Sequence, residues 1–212
     1  MHADICGPMK TLSLNKNKYF IIFVDDFSRR IWVYFNKLKS NAFFIFQQFK
    51  ALVEGKSGYC LKTLRIDRGG EFTSNKFDSY CKINGIQRQL TASYTPQQNG
   101  VVERKNKTIV EMARSILKCK NLPNIFWAKA IATYVYLLNR CPTRSVQNIT
   151  PYEAWCGRKP NISHLRVFGC IAYAHVLAEK RRKLDDKSVK CILLDIVRKP
   201  KVIDCTIHKL KK

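Results

Sequence analysis

The sequence predicts an α/β fold built on a mixed sheet. Along residues 1–140 the apolar pattern alternates between period two and period 3.6, in the order strand, strand, strand, helix, strand, helix, strand, helix. At least one connection in that order passes through a helix, so at least one strand pair is parallel. The 212 residues are 46% hydrophobic and 11% aromatic, enough for a sizeable core, which sets disorder aside.

Each element has a local reason. A very short first strand carries Asp4 just before Cys6-Gly7-Pro8. Lys18 to Val24 and Ile31 to Phe35 are aromatic and β-branched runs separated by Asp25-Asp26-Phe27-Ser28-Arg29-Arg30, which reads as an antiparallel pair joined by a turn. From Ser40 the apolar positions Phe43, Phe46, Phe49, Leu52 and Val53 recur at threes and fours, predicting a helix that stops at Gly55. Leu61 to Ile66 is a strand running into the turn Asp67-Arg68-Gly69-Gly70. Phe77, Tyr80 and Cys81 mark a short helix ended by Gly85, and Ile86 to Leu90 a further strand. Thr91 to Gly100 is polar with Pro and Gly, hence a loop. Two helices follow, Val101 to Lys120 and Ile125 to Arg140, parted by Pro123. Beyond Cys141 the reading is loops around Pro142, Pro151 and Pro160, a strand at Val167 to Val176, the basic stretch Lys180 to Lys183, and a strand at Lys190 to Leu194.

Composition narrows the function classes. Charged or polar residues interrupt every apolar run well short of the ~20 residues that a spanning helix needs, so no membrane role is expected. Nine cysteines occur with no C-x-x-C pair and no His pair at ligand spacing, which points to reduced thiols in an intracellular setting and to no zinc site. Lys and Arg outnumber Asp and Glu by 39 to 15, a net charge of +24 spread along the chain and greatest over residues 61–212. A folded domain with that field attracts a polyanion by counterion release, nucleic acid first; a solvated basic surface is the alternative.

The carboxylates stand out against that background. Asp67 closes a strand at a Gly-Gly turn and Glu103 opens a helix after a flexible loop, with 35 residues between them. By chance about one acidic pair at that spacing is expected, so the context matters more than the count. On the wheel of the Val101 to Lys120 helix, Val102, Ile109, Met112, Ala113 and Ile116 form the apolar face and Glu103 lies at its edge. There it either reaches a cleft or pairs with Lys107 one turn on, worth only ~0.3–0.5 kcal/mol. Lys107, Arg114 and Lys118 follow along the same flank, as a helix beside a phosphate backbone requires, although a solvated face looks the same. Asp25 and Asp26 are assigned to the turn, with a nearby arginine.

At these residues the sequence resembles the integrase of copia-type long-terminal-repeat retrotransposons. The likeness is carried by His2-Ala3-Asp4-Ile5-Cys6-Gly7-Pro8-Met9, Phe23-Val24-Asp25-Asp26-Phe27-Ser28-Arg29, Leu64-Arg65-Ile66-Asp67-Arg68-Gly69-Gly70-Glu71-Phe72, and Tyr94-Thr95-Pro96-Gln97-Gln98-Asn99-Gly100-Val101-Val102-Glu103-Arg104-Lys105-Asn106. Thr150-Pro151-Tyr152-Glu153-Ala154-Trp155 and His164-Leu165-Arg166-Val167-Phe168-Gly169-Cys170 resemble the region that follows the catalytic part.

The resemblance implies a ribonuclease H-like mixed five-stranded sheet flanked by helices, with a small incomplete β-containing extension. It divides the chain into a catalytic core over residues 1–140 and a basic post-catalytic region over 141–212, family-like to about 194. It makes Asp4, Asp67 and Glu103 the catalytic and metal-holding residues, with two Mg²⁺ or Mn²⁺ ions, since hard oxygen ligands suit hard cations. It places Gln97, Gln98 and Asn99 on DNA, beside Lys107, Arg114 and Lys118, and reads Glu71 as a close neighbour of Asp67 outside the reacting set. The implied activity is DNA integration by metal-dependent phosphoryl transfer, on element ends and target DNA, in the nucleus and with homo-oligomers as partners. The first strand is expected to be cut short, because the chain starts three residues before Asp4. That expectation keeps a second hypothesis open, a catalytically inactive nucleic-acid-binding remnant.

Overall fold

The computed structural model describes residues 1–67, 69–90 and 100–195 with their side chains, and the backbone of 205–206. Its centre is a five-stranded sheet: β1 (His2–Cys6), β2 (Tyr19–Val24), β3 (Ile31–Asn36), β4 (Thr63–Ile66) and β5 (Gln87–Leu90), in the order β3-β2-β1-β4-β5. The β1–β2 and β2–β3 pairs are antiparallel, whereas β1–β4 and β4–β5 are parallel. The helices are α1 (Ala42–Ser57), α2 (Asn75–Ile83), α3 (Gly100–Cys119), α4 (Trp127–Leu138) and α5 (Pro151–Cys156). This is the mixed α/β sheet that the alternation of patterns predicts, in the ribonuclease H-like arrangement that the resemblance implies.

The sheet is covered on both faces, which is why β2 reads as a continuous apolar run. Phe20, Ile22 and Val24 pack with Val102, Ile109 and Ala113 of α3 and Trp127, Ala130 and Ile131 of α4. Ile21 and Phe23, pointing the other way, pack with Phe46, Phe49 and Val53 of α1 and Phe77 and Cys81 of α2. Phe23 and Phe49 stack at 3.9 Å between ring centroids. Each fully buried side chain of this size contributes about 1.5–3 kcal/mol, so β2 anchors both layers.

Three elements differ from the sequence reading. Gly55 does not stop α1; the helix runs to Ser57 and ends at Gly58, whose left-handed φ of +72° closes the last turn. An exposed helical glycine costs only about 1 kcal/mol, and the helix closes beyond it with the Gly58 N–H donating to the Glu54 carbonyl. The segment after Thr150 is a helix, not a loop: Thr150 accepts a hydrogen bond from the Glu153 N–H, and Pro151 occupies the first turn, where its missing N–H costs nothing. The strand read at Val167 to Val176 shortens to β6 (Ile171–His175), paired antiparallel with β7 (Ser188–Leu193). β7 is joined by the two-residue β8 (Cys205–Thr206) in a second, small sheet. Phe168 and Leu194, at the roots of these strands, lie in the α3–α4 core.

β1 pairs with β2 along its five residues, and with β4 at His2↔Arg65, reinforced by Arg65 N–H donating to the Met1 carbonyl at 2.8 Å. The strand expected to be cut short is therefore formed and central, and it holds Asp4 in the sheet. Among the described residues no helix is long and apolar enough to cross a membrane.

Candidate active site

Asp4 sits in the middle of β1, and Asp67 follows β4 directly, so parallel pairing brings both carboxylates to one region of the sheet. Asp4 is held at both oxygens: Oδ1 accepts from the Ile5 N–H at 2.9 Å and Oδ2 accepts from Asn106 Nδ2 at 2.6 Å. Burial pushes its pKa up to about 6; the negative charges of Asp67 and Glu103 push the same way, while the Asn106 and Ile5 donors pull back. Asp4 is thus the point at which the three predicted carboxylates influence one another.

Asp67 begins a tight turn in which its Oδ1 accepts from the Gly69 N–H at 3.0 Å. A Cβ at residue 69 would lie 2.7 Å from Glu71 Oε1 and 3.0 Å from Asp67 Oδ1, so only glycine lets these two carboxylates close around the turn. Glu71 is well buried, its side chain 8% exposed, and pairs with Lys39 Nζ at 2.9 Å. It is a structural neighbour of Asp67, as the sequence reading has it, with Lys39 compensating its charge.

Glu103 lies exposed in the first turn of α3. Among the described ion pairs there is none between Glu103 and Lys107, so the local alternative for Glu103 is not realised. One turn further, Asn106 occupies the buried stripe of α3 formed with Val102, Ile109, Ala113 and Leu117. It is only 6% exposed, and its Oδ1 is buried without a partner. The sequence reading passed over Asn106. The signal was available: one amide in an otherwise apolar stripe, a turn after an edge carboxylate, is costly unless something polar faces it.

Among the described residues no three His, Cys, Asp or Glu side chains are close enough to hold one metal ion. Asp4, Asp67 and Glu103 are gathered around one end of the sheet without closing into a cage. Their chemistry nevertheless fits a hard divalent cation: every donor is a carboxylate oxygen, and the charges of Asp67 and Glu103 both act on Asp4, as a shared cation would offset.

The basic flank is in place. Lys107, Arg114 and Lys118 are all exposed on α3, and Arg114 and Lys118 line a groove of about 590 Å³ together with Pro8, Lys10 and Trp127. Lys105 is half-buried, and burial followed by the nearby Arg29 charge lowers its pKa. Asp25 and Asp26 serve the β2–β3 turn: Asp25 Oδ2 accepts from Ser28 N and Oγ at 2.8 and 2.7 Å, and Asp26 meets His2, Arg29 and Arg65. Gln97, Gln98 and Asn99 lie outside the described residues.

With this geometry in view, the likenesses to known proteins fall into place. The integrase core domain family matches residues 1–96, and the retroviral polymerase SH3-like domain family matches residues 170–205. The Retrovirus-related Pol polyprotein from transposon TNT 1-94 of Nicotiana tabacum is 49% identical over 194 residues, 92% of this chain and 15% of that protein. The corresponding polyprotein from transposon RE2 of Arabidopsis thaliana is 38% identical over 183 residues, 86% of this chain and 12% of that protein. The chain therefore spans a small part of the length of these relatives. Among solved structures, a chain of the simian T-cell lymphotropic virus intasome in complex with PP2A regulatory subunit B56 gamma superposes with a TM-score of 0.58 at 18% identity, covering 91% of this chain and 66% of that one. The HTLV-2 integrase catalytic core domain in complex with magnesium, in a trimeric form, gives 0.52 at 23% identity, covering 73% of this chain and 93% of that one. At those identities the structural likeness speaks for the fold.

Proposed function

Since this chain belongs to the integrase core family of copia-type retrotransposon Pol polyproteins, we propose that it is a DNA-joining core that works by phosphoryl transfer dependent on Mg²⁺ or Mn²⁺. The observation that carries this reading is the gathering of Asp67, Glu103 and Asn106 around the half-buried Asp4 carboxylate. Asp4, Asp67 and Glu103 would hold two divalent ions. When bound, such ions supply Lewis-acid stabilisation of the attacking and leaving oxygens in an in-line displacement.

The residues of the chain do the rest. Asn106 fixes the Asp4 carboxylate through its Nδ2–H, so that an oxygen lone pair stays directed at the cluster. The Gly69 turn holds Asp67 in place, and Lys39 neutralises Glu71 so that a fourth charge does not add to the repulsion. Lys107, Arg114 and Lys118 take phosphates of the bound duplex along α3, and Gln97, Gln98 and Asn99 supply hydrogen bonds to backbone or bases. Water as the attacking group gives end processing, and a DNA 3′-hydroxyl gives strand transfer. The substrates are element ends and target DNA, joined by a homo-oligomer in the nucleus.

The open arrangement of the carboxylates favours one competing reading, a remnant that binds nucleic acid without cutting or joining it. Mn²⁺-dependent joining of a labelled duplex end separates the two. The proposal expects joining by the wild type and a fall to background with Glu103→Gln, while duplex binding is kept. A folded, Mn²⁺-binding wild type that neither cleaves nor joins would falsify the enzymatic reading and leave the remnant.

A further inference from the structure

At the end of the sheet opposite Asp67 lies an open pocket of about 600 Å³, lined by Phe27, Tyr59 and Trp155 together with Lys56 and Lys62. It is reached at the starts of β1 and β4, through Met1 and Thr63. The four residues of β4 put about 13 Å between this end and Asp67.

Phe27 and Tyr59 are each 81% exposed, and neither contributes to the core. Phe27 is presented by a stiff support: the Asp25 N–H donates to the Arg30 carbonyl at 2.9 Å, and Ser28 locks the turn onto Asp25 Oδ2. Asp25 is the one carboxylate among the residues lining the pocket, against the two cations Lys56 and Lys62.

From Trp155 the surface continues as alternating cations and rings. The Arg30 guanidinium lies 5.9 Å from the Trp155 ring centroid and 5.3 Å from that of Tyr152. On the same Tyr152 ring, Arg140 approaches to 5.0 Å, and it lies 3.4 Å over Tyr136. Neither Arg30 nor Arg140 has an acidic partner among the described ion pairs, and the Nε of each is buried without a hydrogen bond. Burial holds the Arg140 pKa below its ordinary range, with the Arg30 charge adding to the effect. Packing accounts for rings stacked on guanidiniums. It does not account for two like charges without an acidic partner among the described ion pairs, on a surface that leads through Trp155 to two solvent-exposed aromatic rings.

We propose that this track, Phe27 and Tyr59 through Trp155 to Arg30 and Arg140, is a binding site for a single-stranded segment of nucleic acid, distinct from the carboxylate site. Unpaired bases stack on the exposed rings, and the two arginines take the phosphates between them. A single strand fits better than a duplex because paired bases keep their faces inside the stack and cannot cover Phe27 and Tyr59. It also fits better than a second copy of the chain, which would bring its own +24 charge to a cationic surface.

The test uses the whole chain, with fluorescence anisotropy on labelled oligothymidylate and on a hairpin duplex over a range of salt. Combined Phe27→Ala and Tyr59→Ala should weaken oligothymidylate binding roughly tenfold per ring and leave the duplex within about twofold. Combined Arg30→Met and Arg140→Met, which keeps apolar bulk against the rings, should lower the single-strand salt slope by about 1.4. Oligothymidylate binding that is unaffected by loss of both rings overturns the proposal and assigns the surface to another class of partner. Parallel loss of single-strand and duplex binding overturns it as well. A readout on the unaltered chain guards against misfolded variants: oligothymidylate should shield Arg30 and Arg140 from phenylglyoxal, and unshielded arginines refute the site. Joining activity enters none of these measurements, so the carboxylate reading can fail while this one stands.

Discussion

Asp4 shows how one residue links the fold to its chemistry. In the metal-free chain burial lifts its pKa from 3.8 to about 6, so the folded state binds a proton more tightly than the unfolded one. The sign follows directly. The stability associated with protonated Asp4 is fully present below about pH 4 and is lost as pH rises through about 6. Two pH units correspond to about 3 kcal/mol as an upper bound. Asp4→Asn should therefore stabilise the metal-free protein at pH 7 by up to that amount and flatten its stability between pH 4 and 7. Denaturant melts in chelator across that range check it, and a variant no more stable than wild type at pH 7 contradicts the burial argument. If Asp4 holds divalent cations as proposed, they should reverse the order, because they would stabilise the chain that keeps the carboxylate. Of the residues around Asp4, Asp67 and Glu103 stand out in the sequence at a strand end and a helix start, and the resemblance joins Asp4 to them. Asn106 does not, because its role appears only when α3 is laid across β1 and its amide meets Asp4 Oδ2.

Elements were legible to the extent that their signals are local. Period-two runs located β2 and β3, and glycine at positive φ ends α2 at Gly85, as read from sequence. The end of α1 was misplaced by three residues, because Gly55 and Gly58 are both glycines and only the backbone conformation decides which of them caps. α5 was missed because Pro151 was taken as a loop marker, although Thr150 and Glu153 stand at capping-box spacing. The helix is short, so its cap matters: Thr150→Ala should cost about 1 kcal/mol of stability, read as a shift in urea midpoint at unchanged slope, whereas Thr150→Ser should restore most of it. A further element-level feature has no local signal at all. Asn139, just past α4, donates from Nδ2 to the Ile31 carbonyl at 2.7 Å and accepts from the Ile31 N–H at 2.8 Å. It thus satisfies the outward-facing backbone of Ile31, at the start of the β3 edge, as a neighbouring strand would.

For the molecule as a whole, the net charge of +24 favours encounter with a polyanion. If the duplex lies along α3 as proposed, log affinity should fall linearly with log salt concentration, and removal of Lys107, Arg114 and Lys118 together should lower the slope by roughly 2.7. The carboxylate variants Asp67→Asn and Glu103→Gln should leave that slope within experimental error. A triple variant with the wild-type slope would place the duplex elsewhere. By itself the sequence determined the α/β class and the polyanion-seeking charge, because periodicity and composition are properties of neighbours along the chain, and its motifs carried the family resemblance. Tertiary structure alone decided that Asn106 meets Asp4, that Lys39 compensates Glu71, and that Phe27, Tyr59 and Trp155 share one pocket. Those pairings join residues far apart in the chain, and their energies come from burial and approach in three dimensions, which no local pattern encodes.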